Sequence, residues 1–145
     1  MGLGARSNAG VELGHGPHTV EAQRANAEIF VDTGTEALGS HAIRIVYDPT
    51  VVRIVGLLGG NASEFATPPD ANPADFTSGD TKIAAYQVAS LTLPAGVVSI
   101  AQVSFEVIGA AGSSTTIELV AETLTATDLS DIPSTNLPAL LEVTP

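Results

Sequence analysis

The sequence predicts an all-β domain, an antiparallel β-sandwich of about eight or nine strands. Val, Ile and Thr are abundant, and 14 Gly and 9 Pro interrupt the chain at short intervals, which is typical of short strands joined by turns. Several segments alternate apolar and polar residues with a period of two, the pattern of a strand with one face on a core. No segment resembles a helical crossover, so two sheets stacked face to face are the simplest architecture.

The first half of the chain gives the clearest alternation. We expect residues 1–16 to be a flexible, Gly-rich lead-in and residues 17–145 to form one domain. Its first strand is predicted over residues 19–23. Alternating apolar positions then predict half-buried strands over residues 27–32 and 41–47.

The second half adds a long loop and five or six further strands. Residues 59–80 contain several Pro, Asn and Asp and are predicted to form a surface loop with a short strand near residues 64–66. The other strands are predicted over residues 51–58, 82–88, 97–108, 115–125 and 137–143. Residues that alternation places in the core include Ile43, Ile45, Val103 and Phe105.

Charge and composition exclude several classes of partner. The 145 residues carry a formal net charge of −11 and contain no Cys, so disulfides and thiolate metal sites do not arise. Nucleic acids and anionic membranes attract clustered Lys and Arg, which this chain lacks. No apolar run reaches the about 20 residues of a membrane span, and residues 1–10 lack the apolar stretch of a signal peptide. We therefore expect neither nucleic-acid binding nor membrane insertion.

No catalytic motif is found, and we expect the protein not to be an enzyme. Hydrolysis requires a nucleophile beside a base or a pair of carboxylates across a cleft. The three His residues, His15, His18 and His41, have no Ser or Asp at a spacing that singles out a catalytic set.

Acidic residues in two predicted loops are weak candidates for calcium ligands. Asp70, Asp75 and Asp80 are spaced by five residues, and Asp128 and Asp131 lie in a later loop. Carboxylates in loops can hold Ca²⁺, but this spacing matches no EF-hand, and Asp is also favoured in turns without metal. His15 and His18 could supply two ligands to Zn²⁺, with no further ligand near them in sequence. We expect the chain to require no cofactor.

Two alternatives to a protein-binding role are carbohydrate binding and self-assembly. A glycan-binding sandwich needs an aromatic stacking platform, and this chain has no Trp; surface candidates are Phe65, Phe76 and Tyr86. Self-assembly as an extracellular fibre or surface-layer subunit would pair the segment before Thr19 with a neighbouring subunit's open sheet edge.

Four segments in order resemble those of a known family. Three are residues 27–34, 96–107 and 119–131, and the fourth, residues 42–55, contains Tyr47-Asp48-Pro49 between two apolar strands. By its residues, this motif is a strand end: Tyr47 packs inward, Asp48 binds amides of the turn, and Pro fixes its φ. Across nearly the whole chain, the sequence resembles the cohesin domains, which implies a sandwich of jelly-roll topology.

The resemblance implies binding of a dockerin, a small calcium-loaded helical module, by an extracellular or cell-surface protein. Calcium would then arrive with the dockerin or bind weakly in loops. Well-known cohesins carry Asn and Asp where this chain has Ser40 and Ala42, so the partner would be recognised by other contacts. The positions that correspond to the family's binding face are Ser40, Ala42, Arg44, Val46, Ile83, Ala85 and Gln87. We expect the apolar members of this set to supply affinity to a helical partner, and Arg44 and Gln87 to orient it.

Overall fold

A computed structural model describes residues 2–7, 24–110, 112–133, 136–137 and 139–142. The strands in chain order are β1 (Gly2–Ser7), β2 (Arg24–Asp32), β3 (Leu38–Val46), β4 (Val52–Gly59), β5 (Asp70–Ala71), β6 (Asp80–Tyr86), β7 (Val97–Val107), β8 (Ser114–Ala126), β9 (Asn136–Leu137) and β10 (Ala139–Glu142). Two 3-10 turns, Ser63–Phe65 and Pro73–Asp75, interrupt the long loop. No α-helix occurs in this described part of the chain, and accordingly no helix there could cross a membrane.

The strands form two five-stranded sheets. The first sheet has the order β4-β7-β2-β1-β9, and the second has the order β10-β8-β3-β6-β5. All neighbouring strands pair antiparallel except β1 and β9, which pair parallel. The prediction of an all-β jelly-roll sandwich is confirmed.

The core lies between the sheets and is filled by the alternating apolar positions. Ile43 and Ile45 of β3 and Val103 and Phe105 of β7 are all buried, as predicted. Burying each such side chain contributes about 1.5–3 kcal/mol of transfer free energy. The two sheets therefore hold together through the same residues that made the strands recognisable.

Tyr47 connects the end of β3 to the long loop. Its ring packs edge-on against Phe105, with centroids 5.7 Å apart, and its hydroxyl donates to the carbonyl oxygen of Phe76 at 2.8 Å. Asp48 Oδ1 accepts from the backbone N–H and the hydroxyl of Thr50 at 2.8 and 2.6 Å. These bonds lower the pKa of Asp48, with the Thr50 hydroxyl contributing most. The motif thus has the structural role predicted for it.

Two local predictions differ from the structure. The expected flexible lead-in contains β1, whose backbone pairs with β2, with Gly2 opposite Asp32 and Ser7 opposite Ala27. Without β1, this edge of β2 would be unpaired. Residues 8–16 and the strand predicted over residues 19–23 lie outside the described residues. The short strand predicted near residues 64–66 is instead the 3-10 turn Ser63–Phe65, whose Phe65 side chain is buried in the core.

Candidate functional site

The outer face of the second sheet is the candidate site, and β3 runs through its middle. Ser40, Ala42, Arg44 and Val46 are half-buried and alternate with core residues of the same strand. β3 pairs with β6 on one side and β8 on the other. The structure therefore places all four predicted β3 residues on one outward surface.

For β6 the predicted binding-face residues were wrong. Ile83 is fully buried and Ala85 packs against the core. The outward residues of this strand are Lys82, Ala84 and Tyr86, opposite Arg44, Ala42 and Ser40 respectively. Residues 83–85 are all apolar, so their sequence carries no alternation from which the direction of each side chain could be read.

Gln87 also has a different role from the one predicted. Its side-chain Nε2 donates to the carbonyl oxygens of Leu38, Ser90 and Leu93 at 3.1, 2.8 and 3.0 Å. Its Oε1 accepts from the Ser90 N–H at 2.9 Å. The amide group is thus fully engaged in holding the loop after β6 and is not available to orient a partner.

Four charged side chains occupy the centre of the outer face. Arg44 Nε donates to Asp80 Oδ1 at 3.1 Å, and Arg44 Nη2 forms a second bond to the same carboxylate. Lys82 Nζ donates to Glu122 Oε2 at 3.0 Å, and Arg44 also lies 4.0 Å from Glu122. The hydrogen bond from Arg44 lowers the pKa of Asp80. Both cations are therefore neutralised by carboxylates on the face itself.

One end of the outer face is apolar and exposed. The relative exposures are 75% for Tyr86, 89% for Val88, 80% for Leu91 and 85% for Leu129. Together they line a depression of about 380 Å³, which we call the apolar depression. Its other lining residues are Gly39, Ser40, Gln87, Ser90, Thr125, Ala126 and Thr127.

A second, smaller depression adjoins the first and is acidic. It has a volume of about 170 Å³, and its lining includes Glu64, Asp70 and Ala84. Tyr86 lines both depressions, so this residue lies at the boundary between an apolar recess and an acidic one. We call the smaller one the acidic depression.

Sequence reasoning missed Val88, Leu91 and Leu129. All three lie in segments outside the strands, where no periodicity marks a face. A usable signal was present: large apolar residues stand in Ser-, Thr- and Asp-rich turns, where a side chain has no core to join.

The remaining candidate residues that the structure describes are not brought together into a metal site. Asp70, Asp75, Asp80, Asp128 and Asp131 are all placed, and no three metal-ligating side chains come together within the described ranges. Asp128 accepts from the Ser130 N–H and hydroxyl at 3.0 and 2.5 Å, and the hydroxyl bond is the main cause of its lowered pKa. His15 and His18 lie outside the described residues.

An aromatic platform is likewise not assembled. Phe65 is buried and Phe76 is half-buried against the core, which leaves Tyr86 as the exposed member of the three candidates. Phe65 was therefore wrongly expected at the surface, because its loop position concealed that it anchors a 3-10 turn.

Comparison with solved structures identifies the architecture. A cohesin module from a family 33 glycoside hydrolase of Clostridium perfringens matches with a TM-score of 0.72 at 8% identity, over 99% of this chain and 96% of that one. The chain has the cohesin fold. A cohesin of Clostridium thermocellum OlpA matches with a TM-score of 0.68 at 12% identity, covering 83% of this chain and 88% of that one.

The cohesin fold is shared across distant organisms. A non-cellulosomal cohesin from the archaeon Archaeoglobus fulgidus has a TM-score of 0.60 at 16% identity, over 79% of this chain and 78% of that one. The OlpA cohesin was solved in complex with the dockerin Doc918. No protein-family model matches the chain, and no curated protein matches its sequence. The resemblance seen in the sequence is thus confirmed by the fold.

Proposed function

We propose that this domain is an extracellular, non-catalytic module that binds a dockerin-type helical protein with the outer face of its second sheet. The observation that carries the proposal is a broad outward surface on β3, β6 and β8 that combines an exposed apolar end with a charged centre. Similar solved cohesins, including one from Acetivibrio cellulolyticus bound to a Cel5 dockerin, support a partner of this kind.

The chemistry of the face suits protein association. Exposed aromatic and aliphatic side chains supply the apolar contact that drives binding, and charged groups beside them fix the register of the partner. Ala42 and Ala84 are small and lie opposite each other between the charged centre and Tyr86. A helix can approach the sheet closely along this strip, since an alanine side chain extends only one carbon beyond the backbone.

A titration with a panel of calcium-loaded dockerins tests the proposal directly. Isothermal titration calorimetry should give saturable binding to at least one member, and EDTA should abolish it because a dockerin is folded around its calcium. Complete titrations that give no heat of binding with any dockerin of the panel would overturn the assignment to this class of partner.

Arg44→Glu tests which face is used. This change reverses a charge on the outer face and should weaken a dockerin that binds there by about tenfold or more, since Asp80 loses its ion-pair partner and a new carboxylate stands beside Asp80 and Glu122. The midpoint of urea unfolding should change little, because exposed ion pairs contribute little to stability.

Arg53→Glu provides the matched control. Arg53 lies on β4 of the other sheet, where it pairs with Glu106 at 2.6 Å. Its side chain is 43% exposed, against 39% for Arg44, and the substitution changes the net charge equally. Equal weakening by both variants would show that overall charge, and not contact with the outer face, controls binding.

A further inference from the structure

The apolar depression contains a residue in an unfavourable backbone conformation. Leu129 has φ 71°, in the left-handed region. Among the non-glycine residues that the structure describes, it is the only one with a positive φ. This conformation costs roughly 1–2 kcal/mol for an L-residue with a Cβ atom. The side chain is nevertheless 85% exposed, so burial in the core does not offset the strain. Strained backbone residues cluster at ligand-contacting sites, and here the strained residue lies in a turn and presents an apolar side chain to solvent.

The position of Leu129 is fixed by several hydrogen bonds around it. The Leu129 N–H donates to the carbonyl oxygen of Ala126 at 2.9 Å, and the Ala126 N–H donates to that of Ser130 at 2.8 Å. Across the depression, the Thr127 hydroxyl donates to the carbonyl oxygen of Leu91 at 2.7 Å. The two loops that carry Leu91 and Leu129 are therefore joined, and the recess between them is preformed.

Residues that carry carboxylates flank the lining of this recess. Asp128 precedes Leu129 and is exposed, and Asp131 pairs through its backbone with Thr125 of the lining. On the far side of Tyr86, Glu64 and Asp70 line the acidic depression. Among the described residues, Arg44 and Lys82 on the same face are already paired with Asp80 and Glu122. The surroundings therefore complement a cationic partner.

We infer that the apolar depression receives one bulky aliphatic or aromatic side chain from a helix of the partner, and that a Lys or Arg one turn away on that helix enters the acidic depression. Residues three or four apart on a helix lie on the same side, about 5–6 Å apart, so one helix can present both groups across Tyr86. The inference rests on the proposed function for the helical nature of the partner and adds the chemistry of its contact residues.

Designed helical peptides test this pairing without a natural partner. Four stapled, Ala-based peptides carry Leu and Lys, Ala and Lys, Leu and Glu, or Ala and Glu at positions i and i+4. In ¹⁵N–¹H spectra of the full chain, the Leu/Lys peptide should shift the amides of Val88, Leu91 and Leu129 and bind at least fivefold more tightly than the other three. Equal affinities for all four, or shifts confined to other surfaces, would overturn the inference.

Leu129→Gly separates a contact role from a structural one. Glycine adopts positive φ freely, so this variant should unfold at a higher urea concentration than the parent chain and yet bind the Leu/Lys peptide at least tenfold more weakly. Leu58→Gly is the control, because Leu58 is 59% exposed on β4 of the first sheet and should leave peptide affinity unchanged. Unchanged affinity for Leu129→Gly would refute the assignment.

The two proposals fail in different ways. A dockerin that binds the parent chain and Leu129→Gly equally well would remove this inference and leave the proposed function intact. Binding of the Leu/Lys peptide at the depression, with no dockerin binding, would do the reverse. Concentration-dependent mass in light scattering that Leu129→Gly abolishes would assign the depression to a second copy of the chain, and would also overturn the inference.

Discussion

At the scale of single residues, His41 shows how a strand position can bury a titratable group. Its side chain is 2% exposed on the core face of β3, tilted against Phe65 with ring centroids 5.5 Å apart. Neither Nδ1 nor Nε2 has a hydrogen-bond partner among the described residues. Burial disfavours the imidazolium and lowers the pKa of His41 to about 4. The neutral ring is therefore the form that the folded state accepts.

Acid should destabilise the protein through His41. Because its pKa is lower in the folded state than the usual 6.5, the unfolded chain binds a proton first as the pH falls. The contribution of neutral His41 to the free energy of unfolding is complete above pH 6.5. It decreases by about 3 kcal/mol as the pH falls to about 4. His41→Leu should lack this loss, and urea unfolding followed by circular dichroism at pH 7, 5.5 and 4 measures it.

The difference between the two proteins isolates the histidine. Asp48, Asp80 and Asp128 have lowered pKa values, so their contributions also decrease as the pH falls, but they do so in both proteins. His41→Leu should equal or exceed the parent chain in stability at pH 7, since it removes two unpaired polar nitrogens from the core. Parallel stability curves between pH 7 and pH 4 would contradict the explanation.

At the scale of elements, the turn into β6 depends on a close backbone approach at Gly79. This residue has φ +87°, and a Cβ atom there would lie 2.7 Å from the carbonyl oxygen of Tyr47 and 2.8 Å from Pro49 Cδ. Gly79 also accepts the Tyr47 N–H at 2.9 Å. The strand end marked by the Tyr-Asp-Pro motif and the start of β6 therefore touch through a residue without a side chain.

Gly79→Ala should destabilise the domain by more than about 3 kcal/mol, because the clash adds to the cost of a left-handed alanine. Gly96→Ala is the matched control, since Gly96 has φ +86° and open space around its Cβ position. It should lose only about 1–2 kcal/mol. Thermal or urea unfolding of the two variants gives the comparison, and losses of equal size would show that the close approach is unimportant.

The strands that could be predicted from the sequence are those with clear alternation. The strand predicted over residues 97–108 is observed as Val97–Val107, and the one predicted over residues 115–125 as Ser114–Ala126. In β6, by contrast, three successive apolar residues hid which side chain faces outward, and Ile83 was misplaced. Its direction is fixed by pairing with Ile43 across the sheet, which is a tertiary fact that local sequence does not contain.

The candidate site was only half predictable for a similar reason. Alternation on β3 placed Arg44 and its neighbours on the outer face. Tyr86, Leu91 and Leu129 meet only because β3 lies between β6 and β8, so that the loops leaving these strands converge at one end. Residues distant in sequence form the apolar depression, and nothing in either loop alone indicates the other.

At the scale of the whole molecule, the net charge of −11 acts on stability and on association. Like charges repel in the compact state more than in the expanded one, so the folded protein carries an electrostatic cost. The ion pairs described on the two outer faces oppose this repulsion only weakly, because exposed pairs contribute little to stability. Screening by salt should therefore remove more repulsion than attraction.

Raising sodium chloride from about 10 to about 500 mM should consequently raise the midpoint of urea unfolding and leave the dependence of the unfolding free energy on urea concentration unchanged. Urea is the denaturant required, because guanidinium chloride is itself a salt. Calcium chloride at the same ionic strength should give the same midpoint, since the described carboxylates, Asp70, Asp75, Asp80, Asp128 and Asp131 included, form no three-ligand cluster. A midpoint that falls with sodium chloride would show that attractive pairs dominate. A midpoint higher in calcium than in sodium would reveal a specific site, and single Asp→Asn variants would locate it.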